Sequence, residues 1–202
     1  VSTANAAFCS QCGRRLIKVH SSDESRVRSS CPSCAKIVYS GPQVLVLTIV
    51  MAKDRMLLVR RGTEPYVGKW AHPGGYVEES ELLEVAASRE VEEECGIKIP
   101  SSDFVPIGIC SLSRLNQVHV LFLALLADPL KVRASPPEAL DAAWFSLQDF
   151  PFGDVWEPLK AVDVSLVYQY AKDGRFFFFQ RFDESHRVVL TSTSLVKMWT
   201  NL

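Results

Sequence analysis

Glu90, Glu93 and Glu94 occupy three of five consecutive positions in this chain. On a helix, which turns about 100° per residue, positions 90 and 94 are one turn apart and 93 lies beside them, so the three carboxylates share one face. Adjacent carboxylates repel one another by a few tenths of a kcal/mol per exposed pair, and a cation between them offsets that repulsion. Ligands that are all oxygen select a hard divalent ion, Mg²⁺ or Mn²⁺. Eight of the 23 acidic residues fall between Glu78 and Glu94, in a chain whose formal net charge is only −1. The acidity is therefore local. A solvated acidic helix face is the competing reading, and the Gly-Gly pair just ahead, together with the fixed offsets, weighs against it.

The element that must position these carboxylates is legible in GGYVEESELLEVAASREVEEECGI, residues 74–97. Gly74-Gly75 after Pro73 signals a loop. Ser80 is a candidate N-cap, and Glu81 and Glu84 would then sit in the first turns, where the helix dipole favours them. Leu, Ala and Glu are good helix formers, and Gly96 is a natural stop, so a helix is expected over 80–95. Arg89 stands eight residues after Glu81, about two turns, and can pair with it. Around this unit, strands are expected at 44–51, 56–60, 104–111, 119–127 and 143–146, with a hairpin turn at 53–55. Leu159, Val162, Leu166, Val167 and Tyr170 fall on one face of an amphipathic helix over 154–171, closed by Gly174. Residues 176–179 are all phenylalanine; that run fits a strand buried on both sides or a partner interface. The last 15 residues carry no assignment.

A second set of ligands lies near the start. Cys9 and Cys12, then Cys31 and Cys34, form two C-x-x-C pairs. Such knuckles supply four thiolates to one tetrahedral zinc ion. A segment of about 30 residues cannot build a sufficient core alone, so the metal would supply its folding energy. Four thiolates leave no open position, which makes the zinc structural. Two disulfides are the alternative; residues 1–8 show no basic-then-apolar leader, which favours reduced thiols and a cytoplasmic location. Cys95 and Cys110, in apolar surroundings, read as buried thiols.

Gly75, five residues, Glu81, seven residues, Arg89-Glu90-Val91, one residue, Glu93-Glu94, one residue, Gly96-Ile97 matches the Nudix hydrolase signature at every fixed position, and the chain resembles that family. The resemblance implies an α+β fold, an α/β/α sandwich with a mixed sheet, preceded here by a small zinc ribbon with four cysteine ligands. It implies hydrolysis of a nucleoside diphosphate linked to another group, X. It makes Glu90, Glu93 and Glu94 the magnesium ligands, helped by the backbone carbonyl of Gly74, with Glu93 or Glu90 orienting or deprotonating the water. Glu81 and Arg89 would hold helix and loop together. Glu138, six residues before Trp144, matches a fourth carboxylate. A zinc ribbon ahead of such a domain recurs in the NADH pyrophosphatases and in a group acting on ADP-ribose or FAD, and Tyr39 matches a tyrosine that helps hold the nucleotide in the former. Residues 110–122, CSLSRLNQVHVLF, lack the SQPWPFP-like stretch of the NADH enzymes, which turns the expectation away from NADH. Ser80 replaces a glycine common at that position.

The expected organisation is a ribbon at 1–38, a Nudix domain at 39–150, and a helix and strand at 151–202 that complete or extend it. Tyr39 and Trp70 are candidates for stacking on a nucleobase. Arg60, Arg61 and Arg114 are candidates for phosphate contact. The histidines (His20, His72, His119, His186) lack ligand spacing and read as structural. The apolar runs at 44–51 and 120–127 fall short of the ~20 residues of a membrane span. The balance of 22 basic and 23 acidic residues lacks the basic excess of a polyanion-coating protein. The resemblance implies a small nucleotide as partner, and the charge balance and short apolar runs leave nucleic acid and membrane not expected; the phenylalanine run and the family habit point to a homodimer. Two competing functions are a ribbon module that binds nucleic acid or protein on a Nudix scaffold, and a pyrophosphohydrolase that sanitises nucleoside triphosphates.

Overall fold

The computed structural model of the chain describes residues 7–20, 27–156, 164–172, 177–181 and 187–191. They form two compact units. The first takes the described residues up to Gln43 together with Ser113–Gln117. Its strands β1 (Ile17–His20), β2 (Val27–Ser30) and β3 (Ile37–Val38) make an antiparallel sheet in the order β1-β2-β3. Asn116 closes this unit: its carbonyl accepts the Gln43 N–H at 2.9 Å and its side-chain amide donates to Gly41 O at 3.1 Å.

The second unit is built on a mixed sheet. Its strands are β4 (Gln43–Ala52), β5 (Arg55–Arg61), β6 (Trp70–Ala71), β7 (Gly74–Tyr76), β8 (Val105–Leu112), β9 (Gln117–Leu126), β10 (Ala139–Ser146), β11 (Phe177–Arg181) and β12 (Arg187–Thr191). The order is β10-β5-β4-β9-β8-β11-β12, with β6 on β5 and β7 on β4. Strand β11 runs parallel to β8, and β12 turns back antiparallel to it.

Alternation along the central strands sorts the apolar residues onto two faces. Leu47, Ile49, Met51, Met56, Leu58, Leu121 and Leu123 join one core, and helix α2 (Val164–Lys172) packs there through Val164, Val167 and Tyr168. Val46, Val50, Leu57, Val59, Val120, Phe122 and Ala124 join the other, where helix α1 (Leu83–Cys95) lays down Ala86, Ala87, Val91 and Cys95. The result is the expected sandwich, one helix on each side of a mixed sheet.

Four local expectations are corrected. The box helix starts at Leu83, not at 80: Ser80 has φ 64° and cannot cap, and Leu82 stands at the N-cap without a side-chain bond. The start is set instead by Glu81, whose carboxylate accepts the Glu78 N–H at 3.0 Å. Gly74-Gly75 is not a loop but strand β7, paired with Val46 and Leu47. Residues 154–156 are not helical, because Val155 bridges Trp70 in parallel and Asp154 O accepts the Trp70 N–H at 2.9 Å. Strand β10 begins at Ala139, earlier than expected, because it runs the full length of β5. Residue 176, residues 157–163, Gly174 and the side chains of the phenylalanine run lie outside the described residues. No helix among the described residues is long and apolar enough to cross a membrane.

Candidate metal-dependent active site

Helix α1 brings its carboxylates to the point where β7 lies against β4. Gly74 has φ 155°, and a Cβ there would sit 2.2 Å from Val46 O. A Cβ on Gly75 would sit 2.5 to 2.8 Å from the Glu90 carboxylate. The two glycines are therefore the condition for the backbone of β7 to pass between β4 and the glutamates. The Gly74 N–H uses that approach to donate to Glu94 Oε2 at 2.9 Å. At the far end Gly96 stops the helix, its N–H donating to Glu92 O.

Arg89 organises the opposite side. Its Nε and Nη2 fork onto Glu81 at 2.8 and 3.0 Å, Nη1 donates to Glu90 at 2.7 Å and to Glu93 at 2.9 Å, and Nη2 also reaches Tyr76 O at 3.0 Å. Five N–H donors meet five acceptors, so the guanidinium is saturated. The side-chain hydrogen bonds from Arg89 hold the Glu81 carboxyl below its ordinary value. The pairing of Arg89 with Glu81 that the spacing allowed is present; the Arg89–Glu93 contact has the i,i+4 helical spacing, which the sequence reading missed, and the contacts to Glu90 and Tyr76 carried no sequence signal.

Burial raises Glu90, although Arg89 opposes it. Burial pushes Glu94 up to about 8; the Gly74 N–H and Arg61 pull the other way, while Glu90 and Glu138 add to the rise. Glu138 thus lies close enough to act on both Glu90 and Glu94. It is held there by its own carbonyl, which accepts the Gly62 N–H at 2.7 Å at the end of β5. A buried carboxylate is costly unless paired or bound to a cation, and Glu94 has no guanidinium contact among the described residues. An all-oxygen cluster with this charge deficit fits a hard divalent cation, with Glu90, Glu93, Glu94 and Glu138 as candidate holders.

Arg61 and Arg60 diverge. Arg61 is felt at Glu94, whereas Arg60 is felt at Asp154 and gives its Nε to Gly68 O at 2.9 Å. Trp70 is half-buried, edge-on to Phe145 at 4.8 Å, and packs against the α2-side core. The side chain of Arg114 lies outside the described residues. His72 is buried with both ring nitrogens unpartnered among the described residues, and burial lowers it to about 4.

In the first unit, Cys9, Cys12, Cys31 and Cys34 place their sulfurs within 4.8 Å of one another. Separations of 3.6 Å between Cys9 and Cys34 and 3.4 Å between Cys12 and Cys31 approach the ~3.8 Å edge of a tetrahedron with Zn–S near 2.3 Å. No pair is a disulfide. The Gln11 N–H points at Cys9 Sγ at 3.4 Å, and the Cys34 and Ser33 amides bring Cys31 down to about 6 against the effect of burial, whereas the Lys36 amide is outweighed by neighbouring thiols and burial, which push Cys34 up to about 11, so four thiolates together need a cation. The set fits zinc. Tyr39 is 67% exposed, with the Arg28 guanidinium 5.2 Å from its ring centroid.

Comparison with known proteins identifies the family. The NUDIX domain model matches residues 40–163, and a zinc-ribbon model described as Nudix N-terminal matches residues 7–40. The chain belongs to the Nudix family and carries that family's N-terminal zinc ribbon. It is 32% identical to the NAD-capped RNA hydrolase NudC of Deinococcus radiodurans over 71% of this chain and 50% of that protein. It therefore spans about half the length of that relative. It is also 32% identical to the ADP-ribose pyrophosphatase of Methanocaldococcus jannaschii, over 56% of this chain and 68% of that protein. A NUDIX hydrolase from Nitrosomonas europaea, known from its crystal structure, superposes with a TM-score of 0.73 at 30% identity, covering 88% of this chain and 99% of the other.

Proposed function

We propose that this protein is a Mg²⁺- or Mn²⁺-dependent pyrophosphatase acting on a nucleoside diphosphate linked to X, of the ADP-ribose, FAD or NADH type. The observation that carries the reading is the cluster of Glu90, Glu93, Glu94 and Glu138 around β7, with Arg89 saturated on one side and Glu94 left without a cationic contact among the described residues. Relatives named as an ADP-ribose pyrophosphatase and an NAD-capped RNA hydrolase support a substrate with a P–O–P bridge, with X either small or the 5′ end of an RNA.

A bound divalent cation would neutralise the diphosphate and act as a Lewis acid on it. The chain's own part is positioning. Glu90, Glu93 and Glu94 would hold the cation, the Gly74 carbonyl would assist, and Glu138 would add a further carboxylate. Arg89 and Glu81 keep the ligands at fixed distances. Glu93 or Glu90 orients the attacking water and takes its proton. The water oxygen bonds to phosphorus, the bridging P–O bond breaks, and the products are a nucleoside monophosphate and phosphorylated X. Tyr39, Trp70 and Arg60 are the candidate nucleotide contacts from the sequence. The ribbon holds one structural zinc through its four cysteines.

The test is a product screen with Mg²⁺ or Mn²⁺ against ADP-ribose, FAD, NADH, diadenosine polyphosphates, nucleoside triphosphates and a 5′-NAD-capped RNA. AMP from the first three is the expected result. Pyrophosphate from triphosphates alone would move the assignment to triphosphate sanitation, and no turnover of any of them, with RNA binding that weakens as salt rises, would move it to the scaffold reading.

A further inference from the structure

Loop 62–69, between β5 and β6, is more tightly organised than its exposure requires. Arg61 reaches over it, with Nε donating to Pro65 O at 3.0 Å and Nη2 to Thr63 O at 3.5 Å. The Gly68 N–H donates to Arg61 O at 2.7 Å, and the Lys69 N–H donates to Tyr66 O at 3.2 Å. At its tip Tyr66 takes φ 71°, a strained conformation for a residue with a Cβ and one that clusters at ligand clamps. The ring it holds out is 42% exposed and meets Trp156 edge to face at 6.3 Å.

Trp156 ties this loop to the site. The Arg61 guanidinium lies 5.4 Å from the Trp156 ring centroid, and the Arg61 backbone pairs with Ala139, the neighbour of Glu138, where β5 meets β10. Arg61 therefore stands between an aromatic cluster and the carboxylates. Its Nη1 is not engaged by any described residue. The far side of the cluster is His119, parallel to Trp156 within 8° at 6.5 Å. Trp156 Nε1 is buried and has no acceptor among the described residues. A substrate with a ring at one end and a diphosphate next to it presents the matching chemistry: a π-face for Tyr66, an anion for Arg61 and acceptor atoms for an indole N–H.

We propose that Tyr66, Arg61 and Trp156 form the subsite for the planar base of the nucleotide, with Tyr66 stacking on the base and Arg61 holding the phosphate that joins it to the carboxylate cluster. This rests on the hydrolase reading for the position of the diphosphate, but base binding can be measured without turnover. Tyr66 stands on the surface, so its replacement leaves the core intact.

The experiment titrates AMP into the full chain and follows tryptophan fluorescence, for wild type, Tyr66→Leu, Tyr66→Phe and Arg61→Gln; KM and kcat are then measured on the best substrate of the screen. Base stacking of the usual strength predicts that Tyr66→Leu weakens AMP about tenfold and raises KM by a similar factor with kcat little changed, and that Tyr66→Phe stays within about twofold of wild type. Arg61→Gln weakens AMP more than it weakens adenosine. Wild-type KM and AMP affinity in Tyr66→Leu, with the fold intact by circular dichroism, overturns the subsite and leaves the hydrolase reading standing. Tyr66-dependent AMP binding without hydrolysis of any P–O–P substrate supports the subsite and overturns the hydrolase reading.

Discussion

Glu94→Gln separates the cost of the acidic cluster from its use. The substitution removes the charge but keeps an amide oxygen that can accept the Gly74 N–H, now made by Glu94 at 2.9 Å. In the absence of a cation, burial holds the Glu94 carboxyl at about 8, against an ordinary 4.5. A folded-state value above the unfolded one means that the contribution to stability is fully present below pH 4.5 and is lost as pH rises through 8. At 1.36 kcal/mol per pH unit, the loss at pH 7 is on the order of 3 kcal/mol, approaching about 5 kcal/mol above pH 8. Glutamine carries no such penalty. In magnesium-free buffer without chelator, so that the ribbon keeps its zinc, the variant should therefore melt higher than wild type. The gap should be near zero at pH 4.5 and open with pH, reaching roughly 6–12 °C at pH 7 for a unit of this size.

Saturating Mg²⁺ should close the gap, because a cation beside Glu94 compensates wild type and not the variant. Turnover should fall by several powers of ten in the same protein. The assays are thermal denaturation between pH 4.5 and 8.5, with and without Mg²⁺, and the product screen. A variant less stable than wild type at pH 8 in magnesium-free buffer would refute the electrostatic argument, and one that turned over at the wild-type rate would refute the ligand assignment.

Three further outcomes are expected. Gly74→Ala places a Cβ 2.2 Å from Val46 O, a backbone clash that should cost more than about 3 kcal/mol in urea denaturation and detach β7. Zinc removal should unfold the ribbon around its four cysteines, seen as new proteolytic cuts within residues 7–43, while the β4–β10 core keeps its circular dichroism signal. His72, lowered to about 4 from 6.5 by burial, should cost stability as pH falls through that window, about 3 kcal/mol at the acid end; His72→Leu should flatten that limb of a pH–stability curve.

The box helix was legible because its signals are local. Glu90, Glu93 and Glu94 follow the helical period, Arg89 pairs with Glu81 at two turns, and Gly96 stops the helix. The ribbon was legible because four thiolates in two knuckles have few uses. What stayed hidden was set by contacts distant in sequence. Strand β7 has no side-chain pattern, since Gly74 and Gly75 are chosen for what they lack. Ser80 resembles a cap by residue type, yet its left-handed φ of 64° puts it in the turn ahead of the helix. This conformation explains why glycine suits the position. The group formed by Tyr66, His119 and Trp156 joins a loop, a strand and a segment past Phe150, and no periodicity links them. Asp154 and Val155 match a helical pattern, but Lys69 at 2.7 Å from Asp154 and the Trp70 backbone draw them into extended pairing.

The electrostatics of the site also explain why its carboxylates divide into two groups. Arg89 binds Glu81, Glu90 and Glu93 directly, so those side chains are positioned before any cation arrives. Glu94 is left to a backbone N–H, with Glu90 and Glu138 adding repulsion and Arg61 relieving it. Even with Glu94 protonated in the ion-free site, Glu81, Glu90, Glu93 and Glu138 outnumber Arg89 and Arg61, so negative charge is in excess before substrate enters. A diphosphate adds more of the same sign, and in a buried setting like charges at such range repel strongly. On the proposed function, substrate and ion-free site would repel each other, and divalent cations would convert that repulsion into attraction. The fold would contribute by making the ion-free site unfavourable at Glu94, so that ion and diphosphate would be most stable when bound together.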